Sequence, residues 1–199
     1  MLERYLFFCG DSHTLGSGDP QALGWVGRVA AAAIAAGIPV APYNLGVGGE
    51  TSVQVAARWR REVEPRLPEE GDPRAIFAFG VNDVTLSDRR LRASREESLA
   101  ALEEVLDGAE QMKMRSLVVG PAAIDDEADN DRIAALSAAF AELCGDRGVP
   151  FVPLVEDLRR SDLWRRELEA GDGAHPGAAG YEEIARLVLA AGWVDWLRS

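Results

Sequence analysis

Four short segments carry side chains suited to acyl transfer: Gly10-Asp11-Ser12, Asn44-Leu45-Gly46-Val47-Gly48-Gly49-Glu50-Thr51, Gly80-Val81-Asn82-Asp83 and Asp172-Gly173-Ala174-His175-Pro176. A serine hydroxyl becomes a useful nucleophile beside a base that is neutral near pH 7 and can later return the proton, and histidine is the side chain best suited. The chain has two. His13 adjoins Ser12, and adjacent residues at a strand end point to opposite sides, so His175 is the candidate base. Asp172, three residues upstream, can accept from His175 Nδ1 and so hold the tautomer that leaves Nε2 free for the serine proton.

The other two segments can supply hydrogen-bond donors for a developing oxyanion. Backbone N–H groups at a glycine-rich helix start are unpaired and suit an anion, either a phosphate or the oxyanion of a tetrahedral intermediate. The segment departs from G-x-G-x-x-G, with Thr51 where the third glycine would stand, and the chain has no G-K-[ST], which excludes a P-loop. An asparagine amide at Asn82 donates without changing protonation state. Each segment has an ordinary alternative: an Asx or serine turn at Asp11-Ser12 and Asn82, a tight turn at Gly46 to Thr51, a helix cap at Asp172 and His175. Together they supply nucleophile, base with orienter, and oxyanion donors, the distinct parts that acyl transfer needs.

Short apolar runs and longer amphipathic stretches alternate along the chain. The strand candidates are Tyr5 to Cys9, Val40 to Leu45, Ala75 to Phe79, Ser116 to Val119 and Val149 to Val152. Between them, helical spacing covers about Gln21 to Ala36, Thr51 to Leu67, Ser94 to Met114 and the stretch marked by Ile133 to Cys144, and a last helix starts near Pro176. Strands linked by helices imply a parallel five-stranded sheet covered on both faces, a three-layer α/β/α domain spanning 1–199. Ligands bind such sheets at the carboxyl ends of the strands, which is where the loops after Cys9, Leu45 and Phe79 fall.

With 33 acidic residues against 21 lysines and arginines, the formal charge of −12 argues against nucleic acid and anionic headgroups as partners. Arg58, Arg60 and Arg61 read as an ordinary solvated helix face. Leu6 to Cys9 is too short for a signal-peptide core, and the alanine-rich run Val29 to Ala36 is too short to span a membrane, so the expectation is a cytoplasmic protein without membrane insertion. Cys9, inside a strand, reads as a small buried thiol. Trp193 and Trp196 read as caps on the core. Nothing in the sequence sets the oligomeric state.

In their order, Gly10-Asp11-Ser12, Gly49 within N-x-G-x-x-G, Asn82 in G-x-N-D and His175 in D-x-x-H resemble the four sequence blocks of the SGNH (GDSL esterase/lipase) hydrolases. The resemblance runs from Gly10 to His175. It implies a flavodoxin-like sheet, a catalytic triad of Ser12, His175 and Asp172, and an oxyanion hole from the Ser12 and Gly49 amides with the Asn82 side chain. Asp11, Asn44 and Asp83 would support these groups. No metal or organic cofactor is implied. The substrate would be a small-molecule ester with a short acyl chain, with O-acetylated carbohydrates, lysophospholipids and acyl thioesters as alternatives. A phosphate-binding flavodoxin-like module without catalysis is the rival of another class. His13 departs from the hydrophobic or small residue common at that place, and implies a more polar pocket rim.

Overall fold

Leu6, Phe7, Phe8 and Cys9 are all fully buried. Since successive strand side chains point to opposite faces, the strand that holds them must be covered on both sides. A computed structural model, which describes residues 3–87 and 90–199, has this arrangement.

In chain order, β1 (Arg4–Gly10) leads to α1 (Ser12–Leu15), α2 (Gly24–Ala35) and β2 (Val40–Gly46). Then come α3 (Ser52–Val63), β3 (Asp72–Ala78), α4 (Val81–Val84) and a small antiparallel hairpin of β4 (Leu86–Ser87) with β5 (Arg90–Leu91). Next are α5 (Arg95–Gln111), β6 (Arg115–Val119), α6 (Glu127–Asp146) and β7 (Phe151–Val152). Four helices follow: α7 (Val155–Arg160), α8 (Asp162–Glu169), α9 (Ala178–Ala190) and α10 (Trp193–Arg198).

The five-stranded sheet has the order β2-β1-β3-β6-β7 with every pairing parallel. The chain leaves β1 toward one edge and returns on its other side as β3, so the strand order reverses at β1 and opens a crevice beyond its carboxyl end. Gly10 stands in register with Gly46 on one side and Ala78 on the other. The segments that follow β1, β2 and β3 therefore start level with one another.

Side chains fix which helices cover which face. Phe8 packs edge-on against Trp25 of α2, with ring centroids 5.4 Å apart, and lies 5.9 Å from Trp193 of α10. Phe77 is in register with Cys9, hence on the opposite face from Phe8, and packs edge-on against Trp59 of α3 at 5.2 Å. Fully burying an aromatic or large aliphatic side chain stabilises by about 1.5–3 kcal/mol, so these contacts anchor both outer layers. Trp193 is fully buried and donates its ring N–H to Val29 O, while Trp196 lies under the Arg74 guanidinium, 5.0 Å from the ring centre. Cys9 and Cys144 are buried free thiols, pushed up to about 12 and about 11 by desolvation. Among the described residues no helix is long and apolar enough to cross a membrane.

Local chemistry moved several boundaries from their expected places. The first long helix starts at Gly24 rather than Gln21, because Asp19 accepts from the Gln21 and Gly24 amides and from Arg28, holding a turn in which Ala22 has φ +54°. α3 begins after a capping box of Thr51 with Gln54 and ends at Val63, since Pro65 opens a tighter turn at Glu64–Arg66. The fifth strand is only Phe151–Val152. The last long helix starts at Ala178 behind Gly177, so Pro176 precedes it instead of forming its first turn. The short helices α1, α4, α7, α8 and α10 and the β4–β5 pair add to the elements expected from the sequence. Arg58 is not on a solvated face: its guanidinium is mostly buried, pairs with Glu50 and Glu62, and donates to the carbonyls of Gly10 and Leu45.

Candidate active site

β1 ends at Gly10, where there is no room for a side chain: a Cβ would fall 2.0 Å from Ala78 O and 2.2 Å from Thr14 Oγ1. This close approach lets the chain turn directly into α1, capped by Asp11, whose carboxylate accepts from the His13 amide at 2.9 Å. Ser12 is the first residue of that turn, so its N–H is one of the unpaired donors of a helix start. Asn44 secures α1 from the next strand, its Nδ2 donating to Thr14 O at 2.8 Å and its Oδ1 accepting from Gly46 N at 3.0 Å.

Ser12 Oγ lies 2.8 Å from His175 Nε2, and His175 Nδ1 lies 2.7 Å from Asp172 Oδ2. A carboxylate only accepts, so Nδ1 carries the proton, and Nε2 is left to accept from the serine hydroxyl. Asp172 Oδ1 is used separately, accepting from the backbone amides of Ala174 and His175 at 2.9 Å each. With the His175 bond as the largest cause, these contacts hold the Asp172 carboxyl far below the usual carboxylate range although its side chain is 61% exposed. Gly18 backs the histidine, with φ +86° and a Cβ position 3.2 Å from the His175 Cβ.

The two proposed oxyanion segments meet each other. Gly49 has φ +76°, and neither its N–H nor that of Ser12 enters a hydrogen bond among the described residues. Asn82 Nδ2 donates to Glu50 O at 2.9 Å, which leaves one amide hydrogen of the pair uncommitted. Asp83 is fully buried below. It accepts from Ser52 N at 2.9 Å, from Ser98 Oγ at 2.6 Å and from Ser52 Oγ, tying α3 and α5 to the turn that carries Asn82. Thus Ser12, His175 and Asp172 are in direct contact, Gly49 and Asn82 are linked through the next peptide, and Asp11, Asn44 and Asp83 brace the turns from behind.

His13 differs from expectation. Side chains alternate in an extended chain, whereas Ser12 and His13 lie in a helical turn, and the His13 ring sits 5.5 Å from that of His175. It is 7% exposed, so it does not make the pocket rim polar. Its Nε2 is 3.0 Å from Ala174 O, and since a carbonyl only accepts, Nε2 carries the proton. Nδ1 is the buried side-chain atom without a hydrogen-bond partner among the described residues, with Asp11 Oδ1 3.9 Å away. Burial pushes His13 down to about 4 and Asp11 up to about 7, so near neutrality His13 is uncharged and Asp11 is about half ionised. Two further residues near the site, Arg92 and Arg58, carried no sequence signal beyond their charge. Among the described residues no group of His, Cys, Asp or Glu is arranged to hold a metal ion.

Beside His175 lies an open groove of about 660 Å³ lined by Ser17, Gly18, Glu167, Asp172 and Gly177 among others.

A family model described as "GDSL-like Lipase/Acylhydrolase family" matches residues 8–183. Among solved structures, a lipase/acylhydrolase from Enterococcus faecalis aligns with a TM-score of 0.73 at 23% identity, covering 94% of each chain. A catalytic mutant of an acetylxylan esterase from Geobacillus stearothermophilus aligns at 0.73 and 21%, covering 96% of this chain and 95% of that one. A further acetyl xylan esterase aligns at 0.75 and 20%, with 94% and 99% covered. These likenesses are of fold. No curated protein matches the sequence significantly.

Proposed function

Because the chain belongs to the GDSL-like lipase/acylhydrolase family, we propose that it cleaves small or short-chain acyl esters with Ser12 as nucleophile, through an acyl-enzyme. The observation that carries this reading is the continuous chain of contacts from Ser12 Oγ to His175 Nε2 and from His175 Nδ1 to Asp172 Oδ2, at 2.8 and 2.7 Å.

In this mechanism His175 takes the Ser12 proton as Oγ attacks the ester carbonyl carbon. The carbonyl oxygen becomes an oxyanion, received by the Ser12 and Gly49 amides and the uncommitted Asn82 N–H. The imidazolium formed at His175 is stabilised by Asp172, then gives its proton to the leaving alcohol as the C–O bond breaks. Water attacks the acyl-Ser12 carbonyl, His175 takes its proton, and collapse returns the carboxylic acid and free serine.

A leaving alcohol that extends from His175 Nε2 past the ring into the neighbouring groove would meet Glu167, Asp172 and hydroxyl-bearing Ser17 and no lysine or arginine. That lining favours a neutral polyhydroxy alcohol over an anionic one, and so supports O-acetylated carbohydrates as the second reading of the substrate. The deciding experiment compares p-nitrophenyl esters of increasing chain length and an acetylated oligosaccharide, with wild type and Ser12→Ala. The proposal expects turnover that falls with chain length and is abolished by Ser12→Ala. Turnover that survives in Ser12→Ala overturns it.

A further inference from the structure

After α4, Leu86–Ser87 pairs antiparallel with Arg90–Leu91, and the chain that follows returns to α4. The amides of Arg92 and Ala93 both donate to Asp83 O at 3.1 Å. The return delivers one exposed cation onto the two oxyanion segments. Arg92 Nη2 donates to Gly49 O at 2.7 Å, and Arg92 Nη1 to Asn82 Oδ1 at 3.3 Å. A planar guanidinium fork can make both bonds at once, which an ammonium cannot reproduce with the same geometry.

We propose that Arg92 is a positioning residue for the oxyanion hole, a reading that rests on the proposed serine mechanism. Three consequences of the geometry support it. The Asn82 amide is two-sided, and a cation at Oδ1 together with a carbonyl at Nδ2 admits only one orientation, with N–H groups on the Glu50 side. Consecutive carbonyls of the glycine loop are held from outside, Gly49 O by Arg92 and Glu50 O by Asn82, which fixes the peptide after Gly49 in a segment where φ is +76° and no Cβ would meet anything within 4 Å. Finally, a positive charge on Asn82 Oδ1 draws electron density from the amide and makes its N–H a stronger donor to a developing anion.

The test is a double-mutant cycle with Arg92→Gln, Asn82→Ala and both together, followed on a p-nitrophenyl ester, with Arg92→Lys as the conservative variant. Arg92→Gln is expected to lower kcat about 10-fold, the scale of one hydrogen bond to a charged group, with KM and melting temperature unchanged because the side chain is exposed. Arg92→Lys should recover part of the loss, and raised salt should weaken the wild-type advantage. In the Asn82→Ala background the Arg92 substitution should lose most of its effect, since the group it positions is gone. Binding of a boronic acid that mimics the tetrahedral intermediate should weaken in step with kcat. An Arg92 effect that is equal in both backgrounds, appears in KM alone, or is absent overturns the proposal. Failure of the underlying mechanism is separate and visible in the controls: it would show as turnover by Ser12→Ala.

Discussion

Asp172 offers a substitution whose outcome inverts the usual ranking of conservative and drastic changes. One of its oxygens accepts two backbone amides, from Ala174 and His175, and the other accepts His175 Nδ1–H. In Asp172→Asn the amide oxygen will stay with the two backbone donors, because flipping it would face an NH₂ group against both of them. The NH₂ then points at His175 Nδ1, which must give up its proton and become an acceptor. The proton moves to Nε2, and the histidine can no longer receive the Ser12 proton. In a serine protease the equivalent change costs about 10⁴ in kcat, and a loss of about 10³–10⁴ is expected here.

Asp172→Ala removes the charge without imposing the wrong tautomer. Two unit charges about 4 Å apart interact by about 1 kcal/mol in water and about 4 kcal/mol at an effective dielectric of 20. The Asp172 side chain is 61% exposed, which puts it toward the water limit. At about 1–2 kcal/mol the lost imidazolium stabilisation lowers the rate about 10-fold, and loosened orientation of the ring brings the total to about 10²-fold. The assay is kcat and KM on p-nitrophenyl acetate at neutral pH, with circular dichroism to verify folding. An Asn variant as active as the Ala variant, or more so, would refute the tautomer argument.

Removing Asn82 as Asn82→Ala should lower turnover by about 10²–10³-fold, the usual cost of one oxyanion donor; steady-state kinetics on a folded variant decides it. Gly18→Ala should lower both melting temperature and kcat, because a side chain at φ +86° would be strained and would stand 2.8 Å from Pro176 O. Asp11→Asn should change how stability depends on pH. Burial raises the Asp11 pKa from its ordinary 3.8 to about 7, so wild type loses that contribution as pH rises from about 4 to about 7. Asp11→Asn will therefore gain on wild type over this range in urea denaturation, and a constant difference would contradict it. His13 has the opposite sign, lowered from 6.5 to about 4, so its contribution is lost as pH falls through that interval, and His13→Gln should flatten this loss.

The sequence alone determined the sheet and its site end because both follow from local regularities. Short apolar runs rich in aromatic and branched residues and stopped by glycine, such as Leu6 to Cys9, fit strands buried on two faces, and glycines and short polar residues at their ends mark the turns where side chains can be presented to a ligand. The spacing of Asp172 to His175 is likewise a local matter, since three residues of one loop suffice to bring a carboxylate to an imidazole.

Tertiary structure decided what depends on distant partners. Whether Arg58 faces water or the carbonyls of Gly10 and Leu45 depends on the ends of two strands that its own helix does not contain. His13 looks misplaced if the strand is taken to continue; only the helical turn, and the Ala174 carbonyl 161 residues away, reveal its buried place beside His175. Arg92 follows a pair of two-residue strands too brief for any periodicity to register, and its contact with Gly49 and Asn82 exists only because three segments converge at the carboxyl end of the sheet. Charge and residue type are legible one position at a time, whereas burial and hydrogen-bond partnership are properties of the folded neighbourhood.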